Sequence, residues 1–336
     1  MTRHGPVGPH PRAAARPQDA PVGGQAVVEG VMMRGVRTWA LAVRRPHPEQ
    51  LVDGVLPAGE PALGDIAVAV HPFSSALTRH RLLRLPVLRG VVALGEALRI
   101  GFRALRMAAD AQSADDAPEI GRGSWLLAGL GGLAIAVGLF FLAPVGLTSL
   151  LQDVLGEGLL FWLVEGVVRT AIFLAYLVLV TRMADMRRVF EYHGAEHQTI
   201  ACYEAGLALT PENASRFSRL HPRCGTSFLL IAMIVAIFVF APVGTPALPW
   251  LLASRVVGIP LVVGVAFELL KLAGRYRHVP LVAALTWPGL QLQRLTTRTP
   301  DRDQLQVAIA ALATVLDRED PRAASARERV GAEVAA

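Results

Sequence analysis

Residues 125–147 read WLLAGLGGLAIAVGLFFLAPVGL, a run without one charged side chain. A hydrocarbon core about 30 Å thick takes roughly 20 apolar residues in an α-helix, so this run is long enough to cross a bilayer. Three further windows meet or approach that length, at 159–180, 227–243 and 256–270. Composition agrees with that reading. Of 336 residues, 53% are hydrophobic and 18% charged, against roughly a quarter charged in a soluble domain. Mean hydropathy is +0.43. The sequence therefore predicts a mainly α membrane protein with about four transmembrane helices.

The cations set an orientation, because Lys and Arg gather in cytoplasmic flanks. Arg99, Arg103, Arg106 and Arg122 precede the first span, whereas 148–158 carries only Asp153 and Glu157. The stretch 181–226 holds Arg182, Arg187, Arg188, Arg216, Arg219 and Arg223, and Lys271, Arg275 and Arg277 follow the fourth span. This alternation predicts a multi-pass membrane protein with both termini and the 181–226 loop cytoplasmic. The net charge of +6 sits beside apolar blocks, which suits contact with anionic lipid headgroups and not with nucleic acid. The lipid bilayer is the expected partner. Cys202 and Cys224 both fall in the 181–226 loop, where reduced thiols are expected and not a disulfide.

The remaining segments divide by composition. Residues 1–22 are rich in Pro, Ala, Arg and His without the apolar core of a signal peptide, and read as a disordered leader. Residues 23–85 read as a small β-rich cytoplasmic unit, since 39–44 and 65–70 hold short alternating or β-branched runs between Pro and Gly turns. Residues 86–112 read as an amphipathic helix, with Pro86 at its start and Arg89, Glu96, Arg99 and Arg103 among apolar positions. It is too charged to span and is expected at the interface. In the cytoplasmic segment 271–318, Thr299 and Pro300 look like the N-cap and first-turn proline of an amphipathic helix reaching about Leu316, followed by a tail over 319–336. On the first span Ala128, Gly132 and Ala136 form a stripe that lets helices pack closely. On the second, Glu165 and Arg169 lie one turn apart and can neutralise each other.

Chemistry concentrates in EYHGAEH, residues 191–197. In a helix from about 182 to 205, stopped by Gly206, His193 and His197 share one face. That spacing lets two imidazoles hold one divalent ion such as zinc. His-x-x-Glu-His is also the inverted zinc-protease pattern, which makes Glu196 the candidate catalytic general base. Two histidines on a juxtamembrane helix equally suit ordinary interfacial hydrogen bonds. Glu204 lies on the same face but about 10 Å further along, too far for the same ion. A further ligand must come from elsewhere. His221 and Cys224, in the Pro/Gly-stiffened turn HPRCGT, have the borderline-soft donor chemistry; Glu29 and Glu268 are acidic candidates.

GGQAVVEGVMMRG at 23–35, EYHGAEH at 191–197, HPRCGTSF at 221–228, FELLK at 267–271 and PGLQLQRLTTRTPDRDQLQVAIAAL at 288–312 occur in this order. Through these strings the chain resembles the bacterial membrane family known as domain of unknown function 1385, whose members are often labelled predicted metal-dependent enzymes. The resemblance implies a multi-pass protein of a bacterial plasma (inner) membrane with metal-associated positions at His193, Glu196, His197, His221 and Cys224. Thr299 departs from the pattern, which would place an acidic residue there. The expectation is a membrane-embedded metal-dependent enzyme, hydrolytic in class. His193 and His197 would be ligands, His221 or Cys224 the remaining one, and Glu196 the base. The alternative is a non-enzymatic transporter using Glu165 and Arg169, or a scaffold.

Overall fold

The computed structural model describes residues 21–114, 121–156, 158–221, 224–243, 248–276 and 279–323. The leader (except Val22 and Pro21), most of the tail, and Glu157, Pro222, Arg223 and Arg277 lie outside the described residues.

Four strands form an antiparallel meander: β1 (Gly23–Val27), β2 (Gly30–Arg34), β3 (Thr38–Arg44) and β4 (Ile66–Pro72). Val27 pairs with Gly30 across a two-residue connection in which Glu29 has φ +49°. Every residue of β2 is buried, because helices cover both faces of the sheet. Val31 and Met33 of β2, with Ala40 and Ala42 of β3, pack on helices α4 (Ala184–Glu204) and α8 (Arg302–Leu316). Met32, Trp39, Leu41 and Val43 point the other way, onto Ile100, Ala104 and Ala108 of α1 (Leu88–Asp110). A strand buried on both faces needs apolar residues at consecutive positions, which is the composition of Gly-Val-Met-Met.

The four apolar blocks are helices long enough to span: α2 (Gly123–Ser149), α3 (Leu159–Val180), α5 (Gly225–Val243) and the Ala253–Arg275 part of α6 (Leu248–Arg275). Within α2 the ladder widens into a π-helical turn at Gly138–Leu142. Pro144 follows, and a proline can neither donate to nor sit comfortably against the carbonyl four residues earlier, here Phe140. The stripe of Ala128, Gly132 and Ala136 was expected to pack tightly on another helix. Instead none of the α2 window is buried among the described residues, and a Cβ added to Gly132 would meet nothing within 4 Å there. Glu165 and Arg169 form a buried i,i+4 ion pair on α3. Arg255 of α6 lies close enough to interact with both charges and stacks 3.9 Å over the Phe240 ring. At the start of α1, Arg89 forms an ion pair with Glu268 of α6, and the Val87 N–H donates to the same carboxylate at 3.3 Å.

A seventh helix, α7 (Pro280–Thr296), leads back to the polar face of the molecule. After it the chain runs extended over α4, where the Arg298 N–H donates to the Phe190 carbonyl at 2.8 Å. Gly194 permits that crossing, since a Cβ there would stand 2.0 Å from the Arg298 carbonyl oxygen. The N-cap of α8 is Asp301 and not Thr299. The Asp301 carboxylate accepts from the Gln304 N–H at 2.7 Å, and the Gln304 amide oxygen accepts from the Asp301 N–H at 2.9 Å. This reciprocal box satisfies two helix-end donors where a threonine cap satisfies one, and a residue before proline favours extended backbone. Thr299 accordingly stays in the crossing strand.

Candidate metal centre

α4 carries three of the candidate residues and is clamped on nearly all sides. From Gly194 to Ile200 every residue is buried, between β1, α8, the crossing strand and the segment that leads into α5. The helix ends at Glu204, with Gly206 at φ +72° beyond it. Glu196 and His197 therefore project into protein, and the half-buried His193 stands at its edge.

Each imidazole is fixed through its Nδ1. His193 Nδ1 lies 2.8 Å from the Thr296 carbonyl oxygen, in the last turn of α7. His197 Nδ1 lies 2.6 Å from the Arg219 carbonyl oxygen. A carbonyl can only accept, so both rings carry their proton on Nδ1 and present a lone pair at Nε2. This is how ligating histidines are oriented by groups behind them. The two rings stand 4.4 Å apart, centroid to centroid.

Cys224 completes the group. It occupies the N-cap position of α5 with extended backbone, φ −69° and ψ 140°, where the helix dipole favours a thiolate. Its Sγ lies 3.3 Å from His193 Nε2 and 3.2 Å from Thr226 Oγ1. The ligand atoms of His193, His197 and Cys224 all lie within 4.8 Å of one another. Small movements would bring that spacing onto the roughly 2.0–2.3 Å bonds of zinc. His197 Nε2 is buried without a hydrogen-bond partner, a cost of about 1–3 kcal/mol for a group that finds none. Two imidazoles and a thiolate suit a divalent ion of zinc type. The residues thus fit a metal, and the group could hold one.

Electrostatics follow the packing. Burial pushes the Glu196 carboxyl up to about 8, with His193 and a Gly24 N–H pulling it down and Cys224 pushing it further up. Glu196 Oε1 is buried with no partner. Gly24 of β1 presses against this carboxyl, and a Cβ there would stand 2.8 Å from it. Burial, with His193 beside it, holds the His197 imidazole below its usual range against the pull of Cys224. Burial opposes ionisation of the Cys224 thiol, but the His197 imidazole and Thr226 outweigh it and bring the thiol below its usual range.

The other candidates are placed differently. His221 lies beside His197, with ring centroids 5.6 Å apart, and its Nε2 faces Glu204 at 3.5 Å. It stands next to the His193–His197–Cys224 group and outside it. Glu29 accepts from Arg188, from the Ala62 N–H at 3.1 Å and from the Tyr192 hydroxyl at 3.3 Å, which ties β1–β2 to α4. Glu268 is engaged with Arg89. Two residues that the sequence did not single out support the group. Gln293 of α7 is fully buried, and its amide brackets the backbone of His221 with 2.8 Å bonds to its N–H and carbonyl. Gly24 makes room for Glu196. Nothing in the sequence tells Gln293 from Gln291, two residues earlier on α7.

Residues 85–318 match the family model described as "Protein of unknown function (DUF1385)". The chain belongs to that family. It is also 34% identical over 307 residues to the "Uncharacterized protein YqhQ" of Bacillus subtilis (strain 168), covering 88% of this chain and 92% of the relative. No solved structure matches it. With four helices apolar and long enough to cross a bilayer, this member of the DUF1385 family is a membrane protein. Four of the five quoted strings meet around the centre: 23–35 is the β1–β2 hairpin, which precedes the matched residues, 191–197 the heart of α4, 221–228 the entry to α5, and 288–312 the α7–α8 passage, whereas FELLK at 267–271 lies on α6 with Glu268 facing Arg89.

Proposed function

We propose that this protein is a membrane-embedded metal-dependent hydrolase with its site facing the cytoplasm. In this reading His193, His197 and Cys224 hold a divalent ion, zinc by donor chemistry, and His221 stands behind His197. The observation that carries it is the pair of imidazoles pinned at Nδ1 by backbone carbonyls, with a thiol sulfur before them and His197 Nε2 left buried and unpartnered. Ordinary interfacial histidines would have no reason to be aligned in this way. A bound zinc ion supplies a Lewis acid that polarises a substrate carbonyl or phosphoryl oxygen.

The chain's own groups account for the rest. Glu196, on the same helical face as both histidines, is the residue that takes and returns a proton at Oε1, whose lone pairs have no other partner. Gly24 positions that carboxyl through its N–H. Burial of the group keeps bulk water away, so each charge interaction counts for more there than in solvent. The arginine distribution supports the orientation, since Arg182, Arg187, Arg188, Arg216 and Arg219 all lie on the side of the membrane that carries the site.

The test is metal analysis of protein purified in detergent without chelators. One ion per chain is expected, falling at least tenfold in His193→Ala and His197→Ala. Stoichiometric metal in the wild type together with Glu196→Gln that binds metal normally but turns nothing over is the enzyme's signature. The absence of metal from wild-type protein prepared anaerobically would leave the scaffold or transporter reading standing.

A further inference from the structure

The backbone segments that pin the two imidazoles also wall a cleft of about 420 Å³, within the size range of small-molecule sites. Arg219 gives its carbonyl to His197 and is one of the residues that line this cleft. Thr296, whose carbonyl holds His193, lies between cleft residues Leu295 and Thr297. Arg187 of α4, Arg294 of α7 and Arg298 of the crossing strand complete the basic wall, with Thr181 at the end of the α3 span on its rim. Four arginines face one glutamate, Glu191, which already receives Arg187 at 3.4 Å and the Gln304 amide at 3.0 Å.

This charge is unbalanced, and part of it is held rigid. Arg294 and Arg298 are both close enough to repel the Arg219 guanidinium. Arg219 is tied to the Thr297 carbonyl and, at 3.2 Å, to the Thr297 hydroxyl. Arg298 donates from Nη2 to the Thr181 carbonyl at 3.3 Å, while its Nε is buried without a partner. Like charges do not gather in a concavity for stability. As planar forks gathered on one wall, they match the oxygens of a phosphate group, which Arg binds with paired hydrogen bonds.

We propose that the cleft of Arg187, Arg219, Arg294 and Arg298 binds a phosphate group and thereby anchors a phosphate-bearing substrate beside the His193–His197–Cys224 centre. The substrate part rests on the hydrolase reading above; phosphate binding does not. The phosphate can belong to a lipid headgroup, since Thr181 ends a span, or to a soluble phosphate ester.

Full-length protein in dodecyl maltoside, which contains no phosphate, separates these cases. Binding is measured by titration calorimetry with inorganic phosphate in one arm and dioctanoyl phosphatidic acid in the other, with dioctanoylglycerol as the uncharged control. The variant is Arg187→Gln with Arg294→Gln, two exposed side chains whose loss leaves the backbone ties of Arg219 and Arg298 in place. Saturable binding of either phosphate probe, weakened at least tenfold in the variant and absent for the glycerol control, is the expected result. Binding in the lipid arm alone assigns a headgroup, and binding in both arms assigns the phosphate itself. No saturable binding to wild type, or equal binding by the variant, overturns the proposal. Metal content measured on the same samples keeps the two ideas apart. Phosphate binding without metal upholds the anion cleft and removes its substrate role, whereas metal without phosphate binding removes the cleft and leaves the centre.

Discussion

Cys224 is the residue on which the metal reading turns, because it is the one donor supplied from outside α4. The thiol is 1% exposed and faces His193 Nε2, so its chemistry reports occupancy of the group directly. A coordinated thiol is deprotonated and engaged. We therefore expect Cys224 to label slowly with a maleimide until a chelator is added, then at least tenfold faster. Cys202, whose Sγ lies 3.5 Å from the Ala208 carbonyl in the separate core under the sheet, should respond little. Equal labelling of Cys224 with and without chelator, in protein shown to contain metal, would take it out of the site. At this scale the sequence was legible where chemistry has a spacing. His193, Glu196 and His197 share a helical face by arithmetic alone. It was silent where chemistry uses the backbone: the carbonyls of Thr296 and Arg219 that aim the two imidazoles leave no trace in side-chain identity. The third donor stayed open between His221 and Cys224, since three residues in a turn do not fix which side chain points inward.

At the level of single elements, α3 shows how the structure sharpens a pattern visible in one dimension. Glu165 and Arg169 pair as their spacing suggests, but Arg255 arrives from α6 and makes the cluster two cations to one anion. Removing Arg169 leaves Glu165 within reach of the Arg255 charge, whereas removing Glu165 takes the one anion from beside two guanidinium groups. Breaking a buried pair so that a charge is stranded costs about 3–5 kcal/mol. Glu165→Gln should thus lower the melting temperature and the monodisperse yield in detergent well beyond Arg169→Gln. Equal losses would mean that Arg255 takes no part. The apolar spans were readable because length and composition suffice for them. The strands β1 and β2 were not, since β1 opens on two glycines with little side chain to read, and burial of β2 on both faces erases the alternation that marks a strand. α7 was hidden by Pro280 and Pro288 and by a polar last turn. The Thr299–Pro300 pair imitated a helix start while Asp301 and Gln304 made the real one.

Across the whole molecule, the spans and the polar layer constrain each other. α3 runs with only Thr181, Arg182 and Met183 between it and α4, and α5 begins at the residue after Cys224. The ends of both spans are therefore held at the candidate centre. The sheet packs on α4 and α8, and α1 joins the sheet to α6 through Arg89 and Glu268. The sheet, α4 and α8 consequently form one polar layer, and α1 runs from that layer to pack its first turn against Gly264 and Phe267 of α6. Arginines mark the side of this layer, while 148–158 on the opposite side has none. Translocating the polar layer would move at least six guanidinium groups and the folded sheet across the bilayer, which the positive-inside rule disfavours. Reporter fusions at Gly206 and at the C-terminus should therefore give cytoplasmic signals, and fusions at Gly156 and Gly244 external ones. A cytoplasmic signal at Gly156 would break the four-span arrangement. Uniform inversion of all four signals would keep the spans and put the His193–His197–Cys224 group outside, where a reduced, metal-binding Cys224 could not be assumed.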